Sequence, residues 1–516
     1  MVGEKGAAGH GHTVREDLDQ RFKRDNRHPL AAGLPGPHLD HRALPLNGRI
    51  PPQPVQELPD GAHRSIVGGP RRSRPRRQGS LDEPRREADT PRAMDKFRIR
   101  GGRRLKGEIR VSGAKNAALP CLAATLLTPE PVQLHGLPRV RDIITMERVL
   151  ETLGESCEQH DGVTRAIAGR GDAFHAPYEL VRTMRASVLV LGPLLARRHR
   201  ARVALPGGCA IGARPVDFHL QALARLGADL RVEGGDIVAE APRGLRGAEI
   251  EFPRITVTGT ENLLMAAALA RGRTILRNCA LEPEVTDLAE LLTAMGGRMA
   301  GVGTSTIEVE GLDGLGGAVH TVMPDRIEAG TYLIAAVLAG AGVRVSGCRT
   351  DHLGALLAAL GEAGVNVALK GDAVEVPEQT STPRAVSLVT AEYPGFATDL
   401  QAQLLTLATQ ADGTSEITEA IFENRFQHVL ELKRLGASIE VNGRTARVHG
   451  PRPLDGAAVM ASDLRASASL VLAGLVARGE TVIDRIYHLD RGYEAMEVKL
   501  MGVGAEIDRF NPGPYL

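Results

Sequence analysis

Tryptophan is absent, and nine Phe and six Tyr are the only large aromatic residues among 516. The cores must therefore be built from Leu, Ala, Val and Ile. Charge of one sign is also missing: 63 basic against 62 acidic residues leave a net +1. No global field steers the chain toward nucleic acid or a membrane surface. No apolar run approaches the ~18 residues of a membrane-spanning helix, and no apolar segment follows the N-terminal charges as in a secretory signal. Cysteine is scarce: Cys121, Cys157, Cys209, Cys279 and Cys348 are odd in number, widely spaced and form no C-x-x-C pair. That usage fits a reduced, cytoplasmic compartment. Phosphate-binding glycine motifs are missing too, since Gly311 to Gly317 is a loose cluster without strand-to-helix context. Neither His10 with His12 nor Cys157 with His160 completes a ligand set, so no metal is expected.

Residues 1–93 are rich in Arg, Pro, Gly, His and Asp and show no apolar periodicity. They read as a disordered extension that buries too little surface to offset chain entropy. The basic run Arg71 to Arg77 reads as part of a solvated tail. Met94 opens the first stretch with globular character and is itself a candidate start.

From Met94 the chain repeats. Six times an amphipathic helix runs into a glycine and then a strand, at Gly154, Gly227, Gly296, Gly364, Gly436 and Gly504, a period of roughly 70 residues. Leu223-Ala224-Arg225-Leu226-Gly227-Ala228-Asp229-Leu230 and Leu432-Lys433-Arg434-Leu435-Gly436-Ala437-Ser438-Ile439 show the pattern. Glycine at this position predicts a left-handed helix cap. A second helix–glycine–strand element recurs between them, as in Ala335 to Val345 and Leu472 to Ile483. Each unit therefore carries about two helices and several short strands. The pattern is α+β, two domains of three units each, with Ala/Leu helices packed centrally. The run Arg197-Arg198-His199-Arg200 reads as a solvated face.

One loop stands apart. Leu205-Pro206-Gly207-Gly208-Cys209-Ala210-Ile211-Gly212-Ala213-Arg214-Pro215-Val216-Asp217 holds three glycines and two prolines, which rules out helix or regular strand. It also holds a thiol, a guanidinium and a carboxylate. A thiol near a cation can act as acid or nucleophile. Equally, free cysteine in a turn is often a small buried hydrophobe.

Eight ordered motifs resolve that choice through a resemblance. They are Ser112 to Pro120, Thr183 to Ser187, Pro206 to Pro215, Pro324 to Glu328, Phe396 to Gln403 around Asp399, Phe422 to Phe426, Asp463 to Ser467, and Asp484 to Tyr493. Residues 94–516 closely resemble the UDP-N-acetylglucosamine 1-carboxyvinyltransferase family. The resemblance implies an inverted α/β prism of two domains with threefold internal pseudosymmetry, joined by two chain crossings. One domain would be 115–323 and the other 94–114 with 324–516, the active site lying between them.

The implied reaction moves the enolpyruvyl group of phosphoenolpyruvate onto the 3-hydroxyl of UDP-N-acetylglucosamine and releases phosphate, the first committed step of peptidoglycan synthesis. It needs an acid, a base and anion binding, and no cofactor. By resemblance Cys209 is the general acid, and fosfomycin would alkylate it. Lys115, Asn116, Arg214 and Arg491 hold phosphoenolpyruvate, and Arg465 is a further arginine of the cleft. Asp399 meets the sugar hydroxyl as base, although Thr398-Asp399 also suits a helix N-cap. Arg185, Arg214, Pro215, Val216, Asp217, Phe218, Arg254, Ile255, Thr256, Val257 and Ile421 line the nucleotide site. Arg254 and Ile421 stand where the family commonly has Lys and Val. Two other functions stay open: the shikimate-pathway sibling 5-enolpyruvylshikimate-3-phosphate synthase, which lacks the cysteine loop, and a non-catalytic sugar-nucleotide-binding paralogue.

Overall fold

Among the described residues, six four-stranded sheets carry the repeat. The computed structural model describes residues 95–513 other than 161, 169–171, 183 and 206–215, and the described elements fall in one compact unit. All six sheets share one plan: a strand runs parallel to a second, which pairs antiparallel with a third, which pairs antiparallel with a fourth. In the sheet of Glu249–Glu251, Arg273–Arg277, Thr306–Glu310 and Arg298–Ala300, Ile250 sits opposite Leu276 and Leu276 opposite Ile307. All three are buried, so alternation along each strand delivers one apolar row to the core.

Six helices are largely buried: Lys115–Ala124, Leu191–Arg198, Val257–Ala267, Arg326–Ala339, Gln401–Ala408 and Leu464–Val476. Their sequences are rich in Ala and Leu, and the few polar side chains they carry sit mostly near their ends or are themselves buried. Six others lie outside them: Arg141–Thr152, Asp217–Arg225, Pro283–Ala294, Gly354–Glu362, His428–Arg434 and Met496–Gly502. Each outer helix is followed by one of the six glycines marked in the sequence, and all six have φ between 78° and 99°. A side chain there would be strained, so the cap needs glycine.

Two hydrophobic cores result. The first runs from Ala114 to Met323; the second joins Phe97 to Val111 with Ile327 to Ile507. The chain passes between them twice, and the two passages run side by side. Ala114 N–H donates to Met323 O at 2.7 Å and Asp325 N–H to Ser112 O at 2.9 Å. Gly113 lies opposite Pro324. A Cβ on Gly113 would stand 1.8 Å from the carbonyl oxygen of Gly136, so only glycine allows this approach. Two sheets depend on the passages: Lys96–Arg100 enters the sheet of Glu480–Asp484 and Glu506–Phe510, and Leu105–Arg110 pairs with Gly340–Ser346.

The run Arg197 to Arg200 is not a uniformly solvated face. Arg197 donates to the carbonyls of Leu126 and Thr128, each at 3.0 Å, and Arg198 to that of Leu153 at 2.7 Å. These guanidinia satisfy carbonyls that helix ends leave without partners. Among the described residues no helix is long and apolar enough to cross a membrane, and Cys121, Cys157, Cys279 and Cys348 are free thiols.

Candidate active site

Asp399 lies in the single turn Thr398–Leu400 just before the buried helix Gln401–Ala408. It does not cap that helix. Arg425 Nη2 donates to its Oδ1 at 2.7 Å, and Arg465 donates to its Oδ2 from Nε at 3.1 Å and Nη2 at 2.9 Å. Arg465 sits in the first turn of Leu464–Val476, whose N-terminus Asp463 caps by accepting from the Arg465 and Ala466 amides. Arg425 and Arg465 are 4% and 3% exposed. Burial pushes the Asp399 carboxyl up, but Arg465, Arg425 and Lys115 outweigh it and hold the group well below the usual carboxylate range. Gln403, one turn on, donates to the Asp399 carbonyl at 2.9 Å and to the Tyr493 hydroxyl at 3.2 Å. The Arg465 guanidinium lies over the Tyr493 ring at 5.4 Å.

A second group faces it from the first core. Lys115 opens the helix Lys115–Ala124 and is 9% exposed. Its ammonium stands 3.4 Å from Asp142 Oδ2. Asp142, in the first turn of Arg141–Thr152, also accepts from Arg491 Nε at 2.9 Å and Nη2 at 3.4 Å. Arg491 ends the turn Ile486–Arg491 of the second core, so this carboxylate joins cations from both cores. Burial pushes the Lys115 ammonium down, Asp142 and Asp399 support it, and Arg465 and Arg491 oppose it. Those mutual fields place Lys115, Asp142, Asp399, Arg465 and Arg491 in one neighbourhood. The seam is tied beside it: Glu494 accepts from Ser112 Oγ at 2.5 Å and from the Arg139 amide at 2.7 Å.

Such an arrangement can bind a multiply charged anion. Lys115 and Arg491 share one carboxylate, and two arginines share another. An incoming phosphate or carboxylate can take up the same charge-assisted bonds from these donors.

The remaining expected residues are dispersed along neighbouring segments. Asn116 follows Lys115 in its helix and is half-buried, as is Arg185 at the start of the turn Arg185–Val190. Val216 and Phe218 are half-buried around exposed Asp217 at the start of Asp217–Arg225. Arg254 and Ile255 are exposed just before Thr256, which caps Val257–Ala267 by accepting from the Gly259 amide. Ile421 N–H donates to Glu419 at 2.9 Å. Cys209, Arg214 and Pro215 lie outside the described residues.

Asp142 and Arg425 escaped the sequence reading. An acidic residue in a helix's first turn reads as a response to the helix dipole. Arg425 was visible only as part of the Phe422 to Phe426 motif.

A family model described as EPSP synthase (3-phosphoshikimate 1-carboxyvinyltransferase) matches residues 99–500. The UDP-N-acetylglucosamine 1-carboxyvinyltransferase of Solibacter usitatus is 58% identical over 416 residues, covering 81% of this chain and 100% of that protein. Its counterpart in Koribacter versatilis is 57% identical over 430 residues, covering 81% and 96%. Among solved structures, the enolpyruvyl transferase NikO from Streptomyces tendae matches with a TM-score of 0.74 at 28% identity, over 81% of this chain and 99% of that one. An EPSP synthase from Acinetobacter baumannii matches at 0.62 and 18% identity, over 81% and 100%, a likeness in fold. On its motifs, its paired threefold architecture and these matches, the chain belongs to the UDP-N-acetylglucosamine 1-carboxyvinyltransferase family of enolpyruvyl transferases.

Proposed function

We propose that the protein transfers the enolpyruvyl group of phosphoenolpyruvate to the 3-hydroxyl of UDP-N-acetylglucosamine, releasing phosphate and committing the sugar to peptidoglycan. The observation that carries this is the joined group of Lys115, Asp142 and Arg491 beside Asp399, Arg425 and Arg465. All four cations of the set, Lys115, Arg425, Arg465 and Arg491, come from motifs the family shares.

In the proposed mechanism Lys115 and Arg491, with Asn116 and Arg214, hold the phosphate and carboxylate of phosphoenolpyruvate. Cys209 delivers a proton to C3 while the sugar oxygen attacks C2. The tetrahedral adduct then loses a proton from C3 and the phosphate from C2, restoring the double bond. Asp399 takes the proton of the sugar hydroxyl. Its two arginines keep it ionised in the free enzyme but also make it a weak base. An anionic substrate that draws Arg465 or Arg425 away would raise its basicity where the hydroxyl arrives. Arg185, Arg214 to Phe218, Arg254 to Val257 and Ile421 are assigned to the nucleotide.

Fosfomycin would alkylate the Cys209 thiol and stop turnover. The role is cytoplasmic and supports cell shape and division through wall supply. The test is the acceptor: product formed from phosphoenolpyruvate with UDP-N-acetylglucosamine, against shikimate 3-phosphate, identified by mass and proton NMR. An enolpyruvyl ether on the sugar 3-oxygen supports the reading; turnover with shikimate 3-phosphate alone overturns it.

A further inference from the structure

We propose that Cys121, Asp287 and His320 form a site for a divalent transition ion of the zinc class, which braces the first core beside the chain crossing and takes no part in the transfer. The three residues come from three elements of the first core: the helix Lys115–Ala124, the helix Pro283–Ala294 and the strand Ala318–Thr321. Their donor atoms all lie within 4.8 Å of one another. Asp287 Oδ2 is 3.6 Å from Cys121 Sγ and 3.3 Å from His320 Nε2. In a tetrahedral zinc site, with bonds of about 2.3 Å to sulfur and about 2.0 Å to nitrogen or oxygen, those edges come to roughly 3.5 and 3.3 Å. The two edges that meet at Asp287 Oδ2 therefore match those of ligands around one small ion, and the third is at most 4.8 Å.

His320 adds an independent observation. It is 9% exposed, and its Nε2 has no hydrogen-bond partner despite its closeness to Asp287. An unsatisfied buried ring nitrogen aimed at a carboxylate and a thiol calls for a ligand. The other Asp287 oxygen accepts the Met323 amide at 3.1 Å, the orienting bond that metal carboxylates commonly receive. One sulfur, one imidazole and one carboxylate suit zinc or a neighbour in its row, and not magnesium or calcium. On the helix Val257–Ala267, Glu261 is 2% exposed with Oε1 unpartnered, and its charge acts on the Cys121 thiol. Glu261 stands outside the cluster, so a solvent molecule is left to complete the tetrahedron.

The position gives the ion its consequence. Cys121 lies on the helix that Lys115 opens, and His320 lies three residues before Met323, whose carbonyl accepts the Ala114 amide at the crossing. An ion held there ties the helix behind the anion-binding lysine to the strand that leads across the seam.

The test uses the full chain carrying Cys209→Ser, so that the loop thiol is not a ligand, stripped with chelator and reloaded with zinc or cobalt. We expect about one zinc retained per chain after dialysis. Cobalt should give the intense visible bands of a tetrahedral site and a thiolate charge-transfer band. Adding Cys121→Ser should abolish the thiolate band, and His320→Gln should alter the visible bands and weaken retention at least tenfold. Zinc should raise the melting temperature of the parent and not of either variant. Where Cys121→Ser does not fold, His320→Gln alone decides. No retained metal, or cobalt spectra and zinc stabilisation unchanged by His320→Gln, would overturn the proposal.

Discussion

Asp142→Asn tests the electrostatics of the site most sharply. Asp142 Oδ2 stands 3.4 Å from the Lys115 ammonium. At that separation, with an effective dielectric constant of about 20, the attraction is roughly 5 kcal/mol, an upper limit of about 3.5 pH units. Arg491 draws on the same carboxylate and is 36% exposed, and Asp399 also supports the ammonium. The expected fall in the Lys115 pKa is therefore about 1 to 2 units. Burial has already lowered that pKa, and losing Asp142 lowers it further. Only the protonated amine attracts phosphoenolpyruvate, so a lower pKa makes binding fail at a lower pH. The assay is phosphoenolpyruvate affinity from about pH 6 to 10 in the presence of UDP-N-acetylglucosamine. A Cys209→Ser background suppresses turnover and removes the thiol's own titration. The alkaline limb should move down by about 1 to 2 units, while affinity near pH 6 should stay within about tenfold. Melting curves should show a folded variant that has lost about 2 kcal/mol, below the usual cost of orphaning a buried charge because Arg491 is half-exposed. A limb that stays put or moves upward would refute the reasoning.

Arg425→Met should raise the Asp399 pKa, because one of the two guanidinia holding it down is gone. If ionised Asp399 is the base, the acid limb of kcat/KM moves to higher pH by about one unit, read from a pH–rate profile. Cys209→Ser should nearly abolish product formation, whereas Cys209→Asp should keep measurable turnover and resist fosfomycin; full activity in the serine variant would remove the proposed acid. Glu155→Gln addresses stability. Burial pushes the Glu155 carboxyl up to about 7, against the opposing Thr125 hydroxyl and two arginines. Between its unfolded value of about 4.5 and about 7 the folded state holds the extra proton, so stability falls as pH rises through that window. The substitution should flatten the slope and stabilise the protein at pH 8 by at most roughly 3 kcal/mol, measured by urea denaturation.

Local chemistry made much of the fold legible. The six helix-ending glycines declared their left-handed caps because only glycine tolerates that φ, and their spacing exposed the repeat. Central helices were recognisable because they are unusually rich in Ala and Leu. What periodicity could not show was long-range pairing: Lys96–Arg100 enters a sheet whose other strands lie between residues 458 and 510. At the site, Lys115, Asp399, Arg465 and Arg491 were named through shared motifs, whereas Asp142 was not, since its value lies in a partner 349 residues away. Arg197 and Arg198 were misjudged for the same reason: their carbonyl partners belong to earlier segments. The choice between a cap and a functional carboxylate at Asp399 needed geometry, because both begin a helix in the same way.

Phosphate release from phosphoenolpyruvate, followed with and without UDP-N-acetylglucosamine and again after fosfomycin treatment, tests the central claim most directly. Release should depend on the sugar nucleotide and stop once the drug has reacted. Well-folded protein that binds the sugar nucleotide yet releases no phosphate, or releases it equally without the sugar, would contradict it.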